Sequence, residues 1–249
     1  MQLKPYLLIL FLSPIFLCAQ DEESQTGSSY VFGPTIGASY NVPAGDLGDR
    51  FGNHSEISVG LEYQLSPSKW VFSFETDFLF GSSVKEDVLA PLRLENGLIL
   101  GNDSEYANIF LRQRGVHMGL MVEKTVLAND IGRGLRLGAG VGLLNHFIRI
   151  QDDSRSVPQV AGRYKKGYDR NTRGFALKER FSYNFVSDSK RVNFSLGFEF
   201  TQGFTKNTRA INFDTALPDT ENRIDLIYAL NLKWLLPLVN SSGDEEIFY

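Results

Sequence analysis

Apolar and polar residues alternate one for one through eight stretches of the chain. In 56–65, Ile57, Val59, Leu61, Tyr63 and Leu65 fall on one side, and Glu56, Ser58, Gly60, Glu62 and Gln64 on the other. A strand turns successive side chains to opposite faces, so this pattern predicts a strand with one greasy and one polar face. Stretch 70–81 repeats it, with Trp70, Phe72, Phe74, Phe78 and Phe80 against Ser73, Glu75, Asp77 and Gly81. Stretches 30–42, 134–148, 191–204 and 223–238 do the same. In 191–204, Val192, Phe194, Leu196, Phe198 and Phe200 oppose Asn193, Ser195, Gly197, Glu199 and Thr201. Stretches 109–125 and 174–186 are less regular, because Arg112, Arg114 and Glu179 fall on the apolar side. Either these three lie beyond an apolar band or a bulge shifts the register.

The links between the stretches alternate in length. Those near 66–69, 129–133 and 187–190 are short and turn-like; those near 44–53, 85–108, 151–173 and 206–222 are longer and polar. Eight strands, three short turns and four long loops match the plan of a single antiparallel, up-and-down, eight-stranded transmembrane β-barrel. The alternative is a secreted β-sandwich or soluble barrel, which also alternates. The polar face decides between them, because it is rich in glycine and serine, which suit the crowded interior of a narrow barrel. On this reading the greasy face meets lipid. Trp70, Tyr63, Tyr183 and Trp234, near strand ends, then sit where interface aromatics belong.

The N-terminal end points the same way. Residues 1–20 carry one charge, Lys4, and an apolar run from Tyr6 to Leu17, too short to span a membrane and suited to a signal peptide. The expected division is a signal peptide 1–20, a short periplasmic segment 21–29, the barrel 30–239 and a periplasmic tail 240–249. A lipoprotein acylated at Cys18 is the competing reading, weakened by bulky Phe16 and Leu17 ahead of it. Removing residues 1–20 takes away the single cysteine and leaves 24 basic residues (25 less Lys4) against 29 acidic. That balance argues against nucleic-acid binding, which needs a basic footprint. Nineteen Phe, ten Tyr and 23 Gly accompany a mean hydropathy of only -0.15, as expected of strands that are apolar on one side only.

A barrel of this size turns its polar face to a filled axis. The inward set predicted here includes Glu62, Glu75, Asp77, Glu123, Arg136, Lys178, Arg180, Glu199 and Lys233. A proton or ion path is one reading; the other, preferred because both signs are present, is a structural network of paired charges. Loop 85–108 is acidic and loop 151–173 basic, with Arg163, Lys165, Lys166 and Arg170 as interaction candidates. The two loops could bridge each other, the basic one could meet lipopolysaccharide phosphates, or a partner protein could dock there. As a baseline they are two solvated loops.

Signs of catalysis are thin, and neither an enzymatic site nor a cofactor nor a metal is expected. Neighbours His54, Ser55 and Glu56 point to alternating faces; His117 stands alone on the inner face, and His146 lies near a strand top. Gln151-Asp152-Asp153 lacks the spacing of a recognised cation loop.

The leader ending in Cys18-Ala19-Gln20, and strands patterned like Gly138-Ala139-Gly140-Val141-Gly142, resemble the outer-membrane β-barrels of Bacteroidota, including PorT-like barrels. The resemblance spans about Tyr30 to Val239 and is one of pattern and layout. It implies a non-enzymatic envelope protein, structural or accessory, with some relatives serving type IX secretion and gliding through a partner protein. A small lipid-acting outer-membrane enzyme is the alternative.

Overall fold

The structure is a computed structural model that describes residues 29–66, 68–129, 133–187 and 192–240. The predicted signal peptide, most of the tail and parts of the three short turns lie outside the described residues. In chain order the elements are β1 (Ser29–Ala44), α1 (Gly45–Arg50), β2 (His54–Ser66), β3 (Trp70–Gly81), β4 (Ile99–Leu100), β5 (Tyr106–Ala107), β6 (Ile109–Ala128), β7 (Gly134–Asp152), β8 (Thr172–Val186), β9 (Asn193–Asn207), β10 (Asn222–Leu235) and β11 (Val239–Asn240).

The eight long strands form one antiparallel sheet in the order β10-β9-β8-β7-β6-β3-β2-β1, and β1 pairs back onto β10 from Thr35↔Leu235 to Ala44↔Leu226. The sheet is therefore a closed up-and-down barrel without a free edge. β11 extends the closure by pairing with Val31 and Phe32 of β1. The strands run further than periodicity alone suggested, β7 by four residues to Asp152.

Burial is inverted relative to a globular sheet. The outer face exposes Phe198 (65%), Leu120 (60%) and Leu143 (60%), while Glu62 and Glu123 on the inner face are 1% exposed. The interior is packed tightly enough to demand glycine. A Cβ on Gly138 would stand 2.3 Å from Glu123 Cγ, and one on Gly140 2.1 Å from Met121 Sδ.

The register of β6 shifts between Thr125 and Leu127, near the short-turn end. That is the wrong end to explain Arg112 and Arg114. Both point outward, near the long-loop end of β6, in step with Val116, Met118 and Leu120. Glu179 also points outward, halfway along β8, opposite Ala139 and Phe200.

Loops 85–108 and 151–173 are not the two solvated segments of the baseline reading but bridge each other, and the other two long loops join them. They fold together into a cap over one end of the barrel. Residues 45–50 form α1, and Leu47 and Phe51 are fully buried. Gly45 (φ +60°) allows the close approach, since a Cβ there would lie 2.5 Å from the Ile224 carbonyl. Asp46 accepts the Ile224 N–H at 2.7 Å. Val88, Leu89, Ile99, Val157 and Val160 from the loops pack with Leu79, Leu144, Ile148 and Ile227 from the barrel wall in one hydrophobic core. The upper barrel is thus closed by apolar packing.

Candidate functional site

Two polar assemblies stand out, one in the lumen and one in the cap. In the lumen, strand alternation delivers all nine charges named from the sequence to the axis, each at most 5% exposed. Arg180 is the hub. Its Nη2 and Nη1 donate to Glu75 Oε2 and Oε1 at 2.5 and 2.9 Å, its Nε to Glu199 at 2.6 Å, and its Nη1 also to Glu123 at 3.3 Å. Lys233 reaches Glu62 (2.9 Å), Glu75 (3.0 Å) and Glu123 (3.7 Å). Arg136 pairs with Glu62 at 2.8 Å. Lys178 pairs with Asp77 at 2.5 Å and Glu199 at 3.6 Å. Every cation meets at least one carboxylate, the arrangement that makes buried charge tolerable. Geometrically this is a polar plug across the barrel.

The three histidines are each placed against an acid. His117, which alternation left standing alone, has Nδ1 2.8 Å from Asp77 Oδ2, the oxygen that also accepts from Lys178. His54 lies 3.7 Å from Glu56. His146 Nε2 is 2.8 Å from Asp225 Oδ2, and the Phe51 ring stands edge-on to it with centroids 5.7 Å apart. The Thr205 hydroxyl donates to Asp225 at 2.5 Å. That hydroxyl is held by the carboxylate and not by the imidazole, so the trio lacks the nucleophile–base contact of a hydrolytic triad. Both His146 and Asp225 are fully buried beneath α1. Among the described residues no cluster of three or more His, Cys, Asp or Glu side chains is arranged to hold a metal ion.

The cap joins the acidic and basic loops directly. Glu86 accepts from Arg170 Nε at 2.7 Å and from Arg50 Nε at 3.2 Å, and Arg170 also clasps Asp214 at 2.9 and 2.6 Å. Burial pulls the Arg170 guanidinium down, but the hydrogen bonds it donates to Asp214 and Glu86 prevail and leave it above its ordinary value. Arg170, a loop candidate from the sequence, is therefore 6% exposed and consumed inside the cap. Its charge made it look like a surface group; two carboxylates from distant loops draw it in. Arg163, Lys165 and Lys166 are exposed, on a 3-10 turn spanning Gly162–Gly167. Asp219 accepts from Arg223 at 2.6 Å and Asn207 at 3.0 Å; burial raises its pKa, but these hydrogen bonds outweigh it and bring the value to about 2.

The sequence reading did not group the outer-wall charges. Arg112, Arg114, Arg149, Arg173 and Lys206 all lie outside the barrel at the cap end of β6, β7, β8 and β9. The signal was present in Arg112 and Arg114 breaking the apolar alternation. Assigning Arg149, Arg173 and Lys206 to the same wall needs the cross-strand register.

No protein-family profile matches the chain, and no curated protein matches it in sequence. Among solved structures, Ail, the attachment invasion locus protein of Yersinia pestis, is 8% identical over 85% of this chain and 100% of its own, with a TM-score of 0.46. Neisserial surface protein A is 7% identical over 85% of this chain and 99% of its own, with a TM-score of 0.43. Likenesses at this level add nothing to what the strand register already establishes about the fold.

Proposed function

We propose that the chain is an integral outer-membrane β-barrel without enzymatic activity, a structural or accessory component of the cell envelope. The observation that carries this reading is the inverted burial. A closed sheet with Phe, Leu and Val exposed all round its wall, and nine charges buried along its axis, is at its free-energy minimum when the wall meets acyl chains. In water the same wall would expose an apolar surface far larger than soluble monomers carry. The finer form of the proposal, suggested by the resemblance to PorT-like barrels, is an accessory of a secretion or gliding machine that acts by binding another envelope protein. The ion-paired lumen and the folded cap favour binding over transport, because bonded charges and apolar packing lie across the axis.

Cell fractionation followed by gel mobility with and without boiling tests the membrane reading. A lipid-embedded barrel is recovered in the outer membrane and migrates differently after heating. Recovery of a monomer that is water-soluble without detergent would overturn it. Affinity capture of the tagged protein from solubilised envelopes, together with a deletion strain assayed for secretion, tests the accessory role; no co-purifying envelope protein and no change in secretion or envelope integrity would refute it.

A further inference from the structure

The five outer-wall cations behave unlike every buried cation in the lumen. Arg112 of β6 is paired in register directly opposite Arg149 of β7, and Arg173 of β8 directly opposite Lys206 of β9. Side chains directly opposite on neighbouring antiparallel strands stand about 5 Å apart at Cβ, and like charges there destabilise the pair unless a counter-charge joins them. Among the described residues none of the five has a carboxylate within ion-pair distance. Arg112 donates instead to the Gln151 side-chain oxygen at 2.9 Å, and Arg114 to the carbonyls of Gln113 (2.6 Å) and Gly81 (3.3 Å). These neutral partners orient the guanidiniums without neutralising them.

Position along the wall supplies the second argument. The Arg112 and Arg114 guanidiniums lie over the Phe110 and Phe80 rings at 5.5 and 5.6 Å. They sit where the apolar belt of β6 (Val116, Met118, Leu120, Val122) gives way to the cap. The cluster is one-sided, because the outward residues nearest the cap end of β10, β1 and β2 are Asn222, Ala44 and Ser55. Asp152 and Asp153 line a polar hollow of about 240 Å³ with Arg149, Arg155 and Lys165, so that hollow is of mixed sign; Asp153 is occupied by the Gln151 amide at 3.0 and 3.1 Å. In register Arg173 is level with Asn145, four residues from Arg149 along β7, or about 13 Å along the strand. Two opposed cation pairs thus make two separate patches of positive charge on one wall.

We propose that this wall binds a bisphosphorylated glycolipid headgroup, the lipid A portion of lipopolysaccharide. One phosphate is held by Arg112, Arg114 and Arg149 and the other by Arg173 and Lys206. The proposal rests on the membrane reading above. Arginine suits the role through its planar, multi-donor contact with phosphate oxygens.

The test is native mass spectrometry of the full-length barrel, refolded in a neutral detergent. Bisphosphorylated lipid A and lipid A stripped of both phosphates are added in separate arms. The wild type is expected to retain one bisphosphorylated lipid at least about tenfold more tightly than the stripped one, a margin that one charge-assisted contact supplies. R112Q/R149Q and R173Q/K206Q should each weaken retention by a similar factor while keeping heat-modifiable mobility. Equal retention of the two lipids by the wild type overturns the proposal, and so does undiminished retention by both double variants. Displacement by inorganic phosphate at matched concentration would assign the cations to free anions instead, which also overturns it. If the double variants fail to fold, the wild-type comparison of the two lipids still decides. Failure of the chain to enter detergent as a heat-modifiable barrel is a separate result and sinks the membrane reading itself.

Discussion

Replacing Arg180 with methionine probes whether the lumen is a bonded plug or a hydrated channel. Arg180 contacts three carboxylates, of Glu75, Glu199 and Glu123, and is 4% exposed. At an effective dielectric of about 20, unit charges some 4 Å apart attract by roughly 4 kcal/mol, so three such contacts are a large gross loss. Relief of repulsion from Lys178 and Lys233 offsets part of it. Glu75 and Glu123 also keep Lys233, and Glu199 keeps Lys178, so none of the three is left without a cation. The expected net cost therefore falls toward the lower end of the range for breaking a buried pair, about 3 kcal/mol. Urea unfolding of the barrel in lipid vesicles, followed by fluorescence of Trp70 and Trp234, measures it. Arg180→Met combined with Glu75→Gln should cost less than the sum of the single changes, with a coupling of about 1–3 kcal/mol. A loss below about 1 kcal/mol with strict additivity would refute the reasoning. The lumen charges would then be individually hydrated and the plug would be a water-filled space.

Phe74→Arg places a charge on the outer face, where Phe74 is opposite Leu61 and Leu120; near the bilayer midplane it should cost about 2–4 kcal/mol in the same assay. Ser73→Arg, on the inner face against Glu75, should act through crowding, with its cost insensitive to lipid thickness; equal behaviour of the two variants would refute the assignment of faces. Glu179→Leu, at mid-strand among Phe181, Phe198 and Phe200, should raise stability in vesicles by less than about 2 kcal/mol, and a fall would show that the carboxyl is engaged. Asp219 has a folded pKa of about 2, below its unfolded value near 3.9. Its contribution is therefore complete above about pH 4 and lost as pH falls toward 2. Hydrogen exchange of residues 207–223 should rise through that window, and Asp219→Asn should remove the dependence. Single-channel recordings in planar bilayers should show conductance near nil, whereas steady open current would contradict a filled lumen.

The barrel was legible because each strand residue has only two possible directions and closure makes one of them apolar for every strand. Even the exceptions carried information. Arg112, Arg114 and Glu179 fell on the outer face by alternation alone, and the structure leaves them there. The cap was not legible, because Val88, Leu89, Ile99, Val157 and Val160 recur at no period and read as loop residues. Their core is assembled from four segments far apart in the chain. Residues 45–50 were equally opaque, since a helix of six residues with two glycines carries no amphipathic repeat. Membership of the lumen set follows from parity, but partner choice does not. That Arg180 takes Glu75, and Lys178 takes Asp77, depends on which strands become neighbours across the axis.

The cap and the plug together constrain what the molecule can do. Opening an axial path would require separating the Leu47–Phe51 packing from the barrel wall and disrupting ion pairs at several levels of the lumen at once. Each step costs several kcal/mol, and the steps involve different residues, so no single contact can trigger them together. On the proposed reading such a molecule acts through its outside. Its outer surfaces include the belt, the exposed turn carrying Arg163, Lys165 and Lys166, and the unneutralised cations at the cap end of β6–β9. The first is explained by lipid alone. The other two are basic, although the chain as a whole is acidic, and the cation rows of the last form on adjacent strands where repulsion opposes them. Like charges opposed in register cost on the order of 0.2–1 kcal/mol per pair, which an anionic headgroup would offset, and the proposed lipid would then sit on this side of the barrel.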